Sequence, residues 1–362
     1  MKSPSDELTR RQALQLMSLA AVGLALPGAS AEEVKNTPAL PETMWSKIRG
    51  FNYQPSYGSN GFELWQKFDA HTITVELERG KKFFPKINAL RWWQSWDSFK
   101  RDPARYARDF STTLDLAAKA GCKVVPVLFN RWHDQALDYG GIYIDHFLPR
   151  SSWVQRPKMF DAYLEAVVGA HAKDDRILAW DLCNEPFAYS QPPAEIPEIA
   201  KAEFEWLKAM YDTCKRLGAT APLAVGIHPG HGREGIKQIE PISDVLTIHP
   251  YWRPKSKSAG KKAVYEKMLD DYVEFATQVK KPLLATETCW GAMDDAERVE
   301  IIRYTLTQLK QRNIGWLVYL MHHSLIADAH RPEFGPVGGP GNLAFIEADG
   351  SLRPGHGVFN EF

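Results

Sequence analysis

The chain has 362 residues, 44% hydrophobic and 24% charged, with a formal net charge of +0. That composition excludes a disordered chain, and the charge balance leaves no electrostatic footprint for nucleic acid or an anionic membrane. Four cysteines (Cys122, Cys183, Cys214, Cys289) lack metal-type pair spacing, and most sit in apolar patterns, so they read as buried free thiols rather than disulfide partners.

Residues 1–31 have the form of an export signal: Arg10 and Arg11, an apolar run over 14–26, then Ala29-Ser30-Ala31. The run is short for a membrane span. Thr9-Arg10-Arg11-Gln12-Ala13-Leu14 is similar to a twin-arginine signal, although Ala13 and Gln15 depart from its usual pattern; an ordinary secretory signal is the alternative. Either predicts a periplasmic or extracellular protein. Residues 32–45, polar with Pro38 and Pro41, read as a linker to a single domain over 46–362.

Within that domain, strands and helices alternate. Strands are predicted over 49–53, 87–91 and 123–129, then from 177, then over 221–227, 244–248, 283–286 and 314–320. Pro126 is a misfit inside the third, because a central strand should not lose a donor. Asp102-Pro103 opens a helix whose face carries Tyr106, Phe110, Leu114 and Ala117, with Gly121 as its stop. Further helices are predicted over 155–172, and around Phe204 to Leu217, Val264 to Phe275 and Val299 to Leu309. Eight apolar strands separated by amphipathic helices predict a parallel (β/α)8 TIM barrel. An open doubly wound sheet is the alternative, but no Gly-x-Gly-x-x-Gly turn follows the first strand.

In such a barrel chemistry collects at the C-terminal strand ends. The fourth strand stops at Asn184-Glu185-Pro186. Pro186 ends it and biases Glu185 towards an extended conformation. A glutamate at the mouth of a buried strand is partly desolvated, which suits a general acid. The seventh strand repeats the design with Glu287, followed by Trp290. Two such carboxyls are what glycoside hydrolysis uses, one as acid and one as nucleophile. Arg91-Trp92-Trp93, Trp96, Trp132-His133, His228, His249-Pro250-Tyr251-Trp252 and His322-His323 mark other strand ends. An indole offers sugar C–H groups a flat apolar face. Trp92 and Trp93 are adjacent, so only one can face the cleft.

Asn184-Glu185-Pro186, His249-Pro250-Tyr251, and Glu287 with Trp290 resemble the clan of retaining β-glycosidases built on a (β/α)8 barrel, closest to glycoside hydrolase family 5, the cellulase and β-mannanase family. The resemblance covers most of the chain from about Gly50. It implies hydrolysis of a β-linked oligo- or polysaccharide by double displacement, with Glu185 as acid/base and Glu287 as nucleophile. It implies substrate-site roles for Arg91, Trp93, His133, Asn184, His249, Tyr251 and Trp290. Arg91 would keep Glu287 ionised, Tyr251 would orient it, and Asn184 would bond the sugar 2-hydroxyl. The family commonly has a tryptophan at the end of the eighth strand, where this chain reads Met321-His322-His323. No cofactor is expected. No metal is expected either, since the first strand ends in Asn52-Tyr53 without a His-x-His pair. A metal-dependent barrel hydrolase and a carbohydrate-binding barrel without activity are the alternatives.

Overall fold

Eight buried runs pair in chain order, every pair parallel, and the last closes on the first. They are β1 (Arg49–Tyr53), β2 (Ala89–Trp93), β3 (Lys123–Asn130), β4 (Trp180–Asn184), β5 (Leu223–Ile227), β6 (Leu246–Ile248), β7 (Leu283–Ala285) and β8 (Gly315–Val318). The computed structural model describes residues 37–131, 141–187, 197–257, 260–329 and 342–362. The predicted export signal and the first part of the predicted linker lie outside the described residues. From Leu40 the chain is already bound to the barrel, with Leu40 N donating to Arg312 O at 3.1 Å. No helix among the described residues is long and apolar enough to cross a membrane.

The eight-strand barrel is the predicted fold, with strand limits moved by a few residues. Pro126 is accommodated by the pleat. Val124 bonds towards β4, through its own N–H and its carbonyl. Pro126, two residues on, aims its missing donor the same way. There the ladder is interrupted between the Val124–Ile177 bridge and the Val127–Asp181 pair, so no partner is lost.

Helices cover the outside. Helix α1 (Ala70–Phe83) follows β1. Helix α2 (Pro103–Lys119) starts where Asp102 caps Arg105 N, and buries Tyr106, Phe110, Leu114 and Ala117. Helices α3 (Pro197–Arg216), α4 (Lys262–Val279) and α5 (Asp295–Gln311) follow β4, β6 and β7. The helix predicted over 155–172 is broken instead. A short turn, Ser152–Gln155, ends at Arg156, the residue before Pro157, where helical backbone is disfavoured. A 3-10 turn, an α turn (Asp161–Leu164) and a π turn (Glu165–Gly169) then follow.

Strand alternation sorts the core into layers. On β2, Leu90 and Trp92 join the cluster shared with the helices, while Ala89 joins Val125, Ala224, Leu284 and Leu317 inside the barrel, where Trp45 and Ile48 close the bottom. Trp93, also inward, joins a third cluster with Val127, Tyr319 and Leu343 near the mouth. Between floor and mouth, where barrels usually stack branched aliphatics, this one holds Arg91 and Asp181, both fully buried.

Two histidines tie stability to pH. Burial lowers both His322 and His356 from 6.5 to about 4. His322 has donors and acceptors that suit a neutral ring: Arg79 Nη1 lies 3.3 Å from Nε2, and Nδ1 lies 3.3 Å from His323 O. Below pH 6.5 the unfolded chain takes up protons that the folded chain refuses. The stability each ring confers is therefore complete above that pH and is lost as pH falls towards 4, on the order of 3 kcal/mol per ring. Denaturant titrations at pH 7 and pH 4.5 should show the drop, and His356→Phe should lessen it. An unchanged midpoint would contradict the assignment.

Candidate active site

The site is assembled on the inward-facing layer and rises from it to the strand ends. Arg91, on β2, is its hub. Its Nε and Nη2 donate to Asp181 Oδ2 at 2.9 and 2.7 Å, Nη1 donates to Glu287 Oε1 at 2.5 Å and to Asn52 Oδ1 at 3.1 Å, and Nη2 also reaches Asn184 Oδ1 at 2.8 Å. Burial alone would lower the guanidinium pKa, but Asp181 and Glu287 outweigh it and raise it. Arg91 is thus a fixed cation, four of whose neighbours come from β1, β4 and the end of β7. Such a pair is stable only when fully hydrogen-bonded, and Asn52 shows how far that goes. Its Nδ2 donates to Thr286 O at 2.9 Å and Leu317 O at 3.0 Å, so the amide oxygen is turned to Arg91.

Glu287 is held from both sides, since Tyr251 Oη donates to Oε2 at 2.8 Å. Burial, then the adjacent Glu287 charge, raise the Tyr251 pKa well above 10, so the phenol keeps its proton and remains a donor. Glu185 stands opposite. Its Oε1 is 2.7 Å from His249 Nδ1, and the same nitrogen is 3.7 Å from Glu287 Oε2. One oxygen of each glutamate and a nitrogen of His249 lie within 4.8 Å of one another. The two carboxylates meet across one small gap.

The backbone at Glu185 is not extended, contrary to the expectation from Pro186. Its φ is +46° and that of Phe187 is +60°, a region costing roughly 1–3 kcal/mol that persists where surroundings enforce it. Here Glu185 N donates to Gly226 O at 2.8 Å, and Phe187 N donates to Glu203 Oε1 at 3.0 Å. Glu203 is itself a buried partner of Arg131, at the end of β3. The left-handed turn stops β4 and leaves the Glu185 carboxylate facing the gap.

Of the other predicted residues, Asn184 and Trp93 are in place. Asn184 Nδ2 donates to Asn130 Oδ1 at 3.0 Å, and Arg91 lies 4.8 Å from the centre of the Trp93 ring. Trp92 packs outward, edge-on to Tyr53. Trp290 meets Tyr251 edge-on at 5.5 Å, but the Arg253 guanidinium covers its ring at 3.8 Å, so that face is not open to a sugar. His133 and Trp132 lie outside the described residues. Trp252 does not face the gap; it packs on Tyr304 and bonds Gly260 O. His322 and His323 are likewise turned to Arg79 and Asp328.

Sequence reasoning gave no role to Asp181, Asn52, Asn130, Tyr319 or Arg298. Tyr319, just past β8, sets its ring edge-on to Trp93 at 6.1 Å and donates to Gln54 Oε1 at 3.2 Å. It is therefore the aromatic residue that the eighth strand presents to the mouth. Arg298, fully buried on α5, donates to the carbonyls of Cys289, Trp290, Tyr319 and Leu343, joining the loops that carry Glu287 and Tyr319. A signal existed for Asp181 and Asn52, each a polar residue inside an otherwise apolar strand.

Glu185, His249 and Glu287 also have a donor set that a cation would accept. The fit is poor: Arg91 and Tyr251 already donate to both oxygens of Glu287, and a metal ion would sit beside a fixed positive charge.

Comparison with protein families finds the cellulase model, glycosyl hydrolase family 5, matched over residues 67–324. Among solved structures, GH5_18 from Streptomyces cattleya in complex with GlcNAc is similar at 17% identity and a TM-score of 0.63, over 86% of this chain and 78% of that one. An exo-β-1,4-mannosidase from Opitutaceae bacterium strain TAV5 is similar at 19% identity and 0.66, over 86% of this chain and 58% of that one. The endo-1,4-β-D-mannanase of Thermotoga petrophila RKU-1 is similar at 18% identity and 0.61, over 87% and 98%. At these identities the likeness is one of fold. Comparison with curated proteins finds no match.

Proposed function

The chain belongs to glycosyl hydrolase family 5, a glycosidase family acting on O-glycosyl bonds, and from that premise we propose that it cleaves a β-linked glycan with retention of anomeric configuration. Glu287 is the nucleophile and Glu185 the acid/base. The observation that carries this is the gap between them, with carboxylate oxygens within 4.8 Å. Retaining enzymes hold the two groups roughly 5–5.5 Å apart, whereas inverting enzymes need about 6.5–9.5 Å to admit a water.

The roles follow from what each carboxylate touches. Glu287 accepts from the Arg91 cation at one oxygen and from a phenol at the other, which fixes the carboxylate in the orientation that a nucleophile needs. Glu185 faces an imidazole, whose tautomers can either donate to a carboxylate or accept from a carboxylic acid. That suits a group that must give up a proton and take one back. Attack on the anomeric carbon would form a covalent glycosyl-enzyme as Glu185 protonates the leaving oxygen. Water, deprotonated by Glu185, would then release the sugar. Asn184 would bond the 2-hydroxyl.

The substrate class is a gluco- or manno-configured β-glycan, in keeping with solved neighbours named as a mannosidase, a mannanase and a complex with GlcNAc. Tyr319 in place of the usual tryptophan would give the reactive sugar a smaller surface with a polar edge. The protein would be exported by way of residues 1–31. The test is to follow the anomeric configuration of the first product by NMR on β-glucans, β-mannans and aryl β-glycosides. An α-anomer first, or activity abolished by EDTA, would overturn the mechanism; the second outcome would favour a metal at Glu185, His249 and Glu287.

One backbone position tests the geometry without touching a reacting group. A Cβ on Gly226 would lie 2.8 Å from His249 Nε2 and 3.2 Å from Arg91 Nη2. Gly226→Ala must therefore push the imidazole from Glu185 or the guanidinium from Glu287. A misplacement of this size should lower kcat/KM about 10- to 100-fold while the barrel still folds. Wild-type kinetics in a cooperatively folded variant would show that the alignment is looser than argued.

A further inference from the structure

A second concavity lies on the same face of the barrel, about 330 Å³ in volume, at the small end of ligand-site sizes. Trp96 and Trp153 form its inner wall, with ring centres 5.6 Å apart, and His146 stacks on Trp153 at 4.4 Å and on Tyr143 at 5.4 Å. Asp97 and Lys100 complete the rim, 3.2 Å apart.

Its place relative to the reacting groups is fixed by the chain. Trp96 follows the mouth residue Trp93 by three positions, so their Cα atoms are at most about 11 Å apart. Ile142, beside the pocket, donates its N–H to Asn130 O at 2.6 Å, and the Asn130 side chain holds Asn184. The pocket is therefore built on the segments that follow β2 and β3, whose ends also carry Arg91 and the Asn130 partner of Asn184.

The chemistry of the wall is specific. His146 Nδ1 accepts from Tyr143 N at 2.9 Å, which puts the ring proton on Nε2. Burial lowers the His146 pKa, keeping the ring neutral. Nε2–H of His146, and the indole N–H groups of Trp96 and Trp153, have no hydrogen-bond partner among the described residues. Lys100 Nζ lies 3.9 Å over the Trp96 ring and His146 stacks on Trp153, so a pyranose would be met at the ring edges, where these neutral donors and the Asp97–Lys100 pair suit its alternating hydroxyls.

We propose that the pocket formed by Trp96, Asp97, Lys100, Tyr143, His146 and Trp153 binds a sugar unit of the same glycan, remote from the bond that is cleaved. The proposal rests on the hydrolase reading and adds to it a preference for chains long enough to span both places.

The test uses oligosaccharides of graded length. Calorimetry on Glu287→Gln protein, which binds without turnover, is run with cellobiose and cellohexaose, and with mannobiose and mannohexaose. Replacing Asp97 and His146 together by Ala should weaken hexaose binding about tenfold and leave biose binding unchanged. The same double variant with Glu287 intact should hydrolyse an aryl β-glycoside at the wild-type rate. Hexaose binding that is no tighter than biose binding, or is unaffected by the double variant, overturns the proposal. So does an equal loss on the aryl glycoside, which would mean that the side chains act through the fold. If wild-type protein hydrolyses no β-glycoside at all, it is the hydrolase reading that fails, and calorimetry still decides the pocket.

Discussion

Glu287→Ala is expected to reduce hydrolysis at least about 10⁴-fold, and added azide should restore turnover with a glycosyl azide of inverted configuration. The carboxylate receives the guanidinium at one oxygen and a phenol at the other, so it is presented rather than merely present. Removing it leaves a small anion-sized space beside a fixed cation, which azide can enter from the same side. One displacement then replaces two, hence inversion. The variant also strands Arg91 with only Asp181 to balance it in the interior, so a lower melting temperature is expected alongside the kinetic loss. Rates are to be compared below the variant's own transition. Retained hydrolysis, or a rescue product of retained configuration, would remove Glu287 from the role of nucleophile.

The fold was legible because its signals repeat: eight apolar runs, each followed by amphipathic spacing, leave little choice but a closed parallel sheet. The two glutamates were legible for the same reason, since each interrupts such a run at its end. What stayed hidden depends on register. Trp92 and Trp93 are equivalent in sequence, and only the pairing Asn52↔Arg91 fixes Trp93 as inward. Tyr319 was overlooked because the eighth strand ends at Val318, earlier than its apolar run suggests. The tyrosine, not the two histidines beyond it, then falls at the mouth. Glu185 was expected to be extended from its neighbour Pro186; tertiary hydrogen bonds from Glu185 N to Gly226 O and from Phe187 N to Glu203 Oε1 override that local preference. Asp181 could have been read as a strand-interior carboxylate needing a cation, and Arg91 was already in view as its partner.

Glu185→Ala should behave differently from Glu287→Ala, and the difference assigns the two roles. A general acid matters in proportion to how poor the leaving group is. With a glycan or an alkyl glycoside, kcat/KM should fall by about 10³- to 10⁴-fold. With a dinitrophenyl glycoside, which leaves without a proton, bond cleavage should be nearly unaffected. The second step still needs a base to activate water, so the glycosyl-enzyme should accumulate, giving a burst of phenolate and a low KM. Azide needs no base, and it should speed this step. Because it attacks the glycosyl-enzyme, its product should have retained configuration, opposite to that from Glu287→Ala. His249, whose Nδ1 lies 2.7 Å from Glu185 Oε1, loses its partner in this variant. His249→Ala should therefore show a weaker form of the same leaving-group dependence, since the acid would be present but unaligned. A Glu185→Ala defect equal for all leaving groups would mean that the residue only binds. The acid would then have to be sought elsewhere on the barrel mouth.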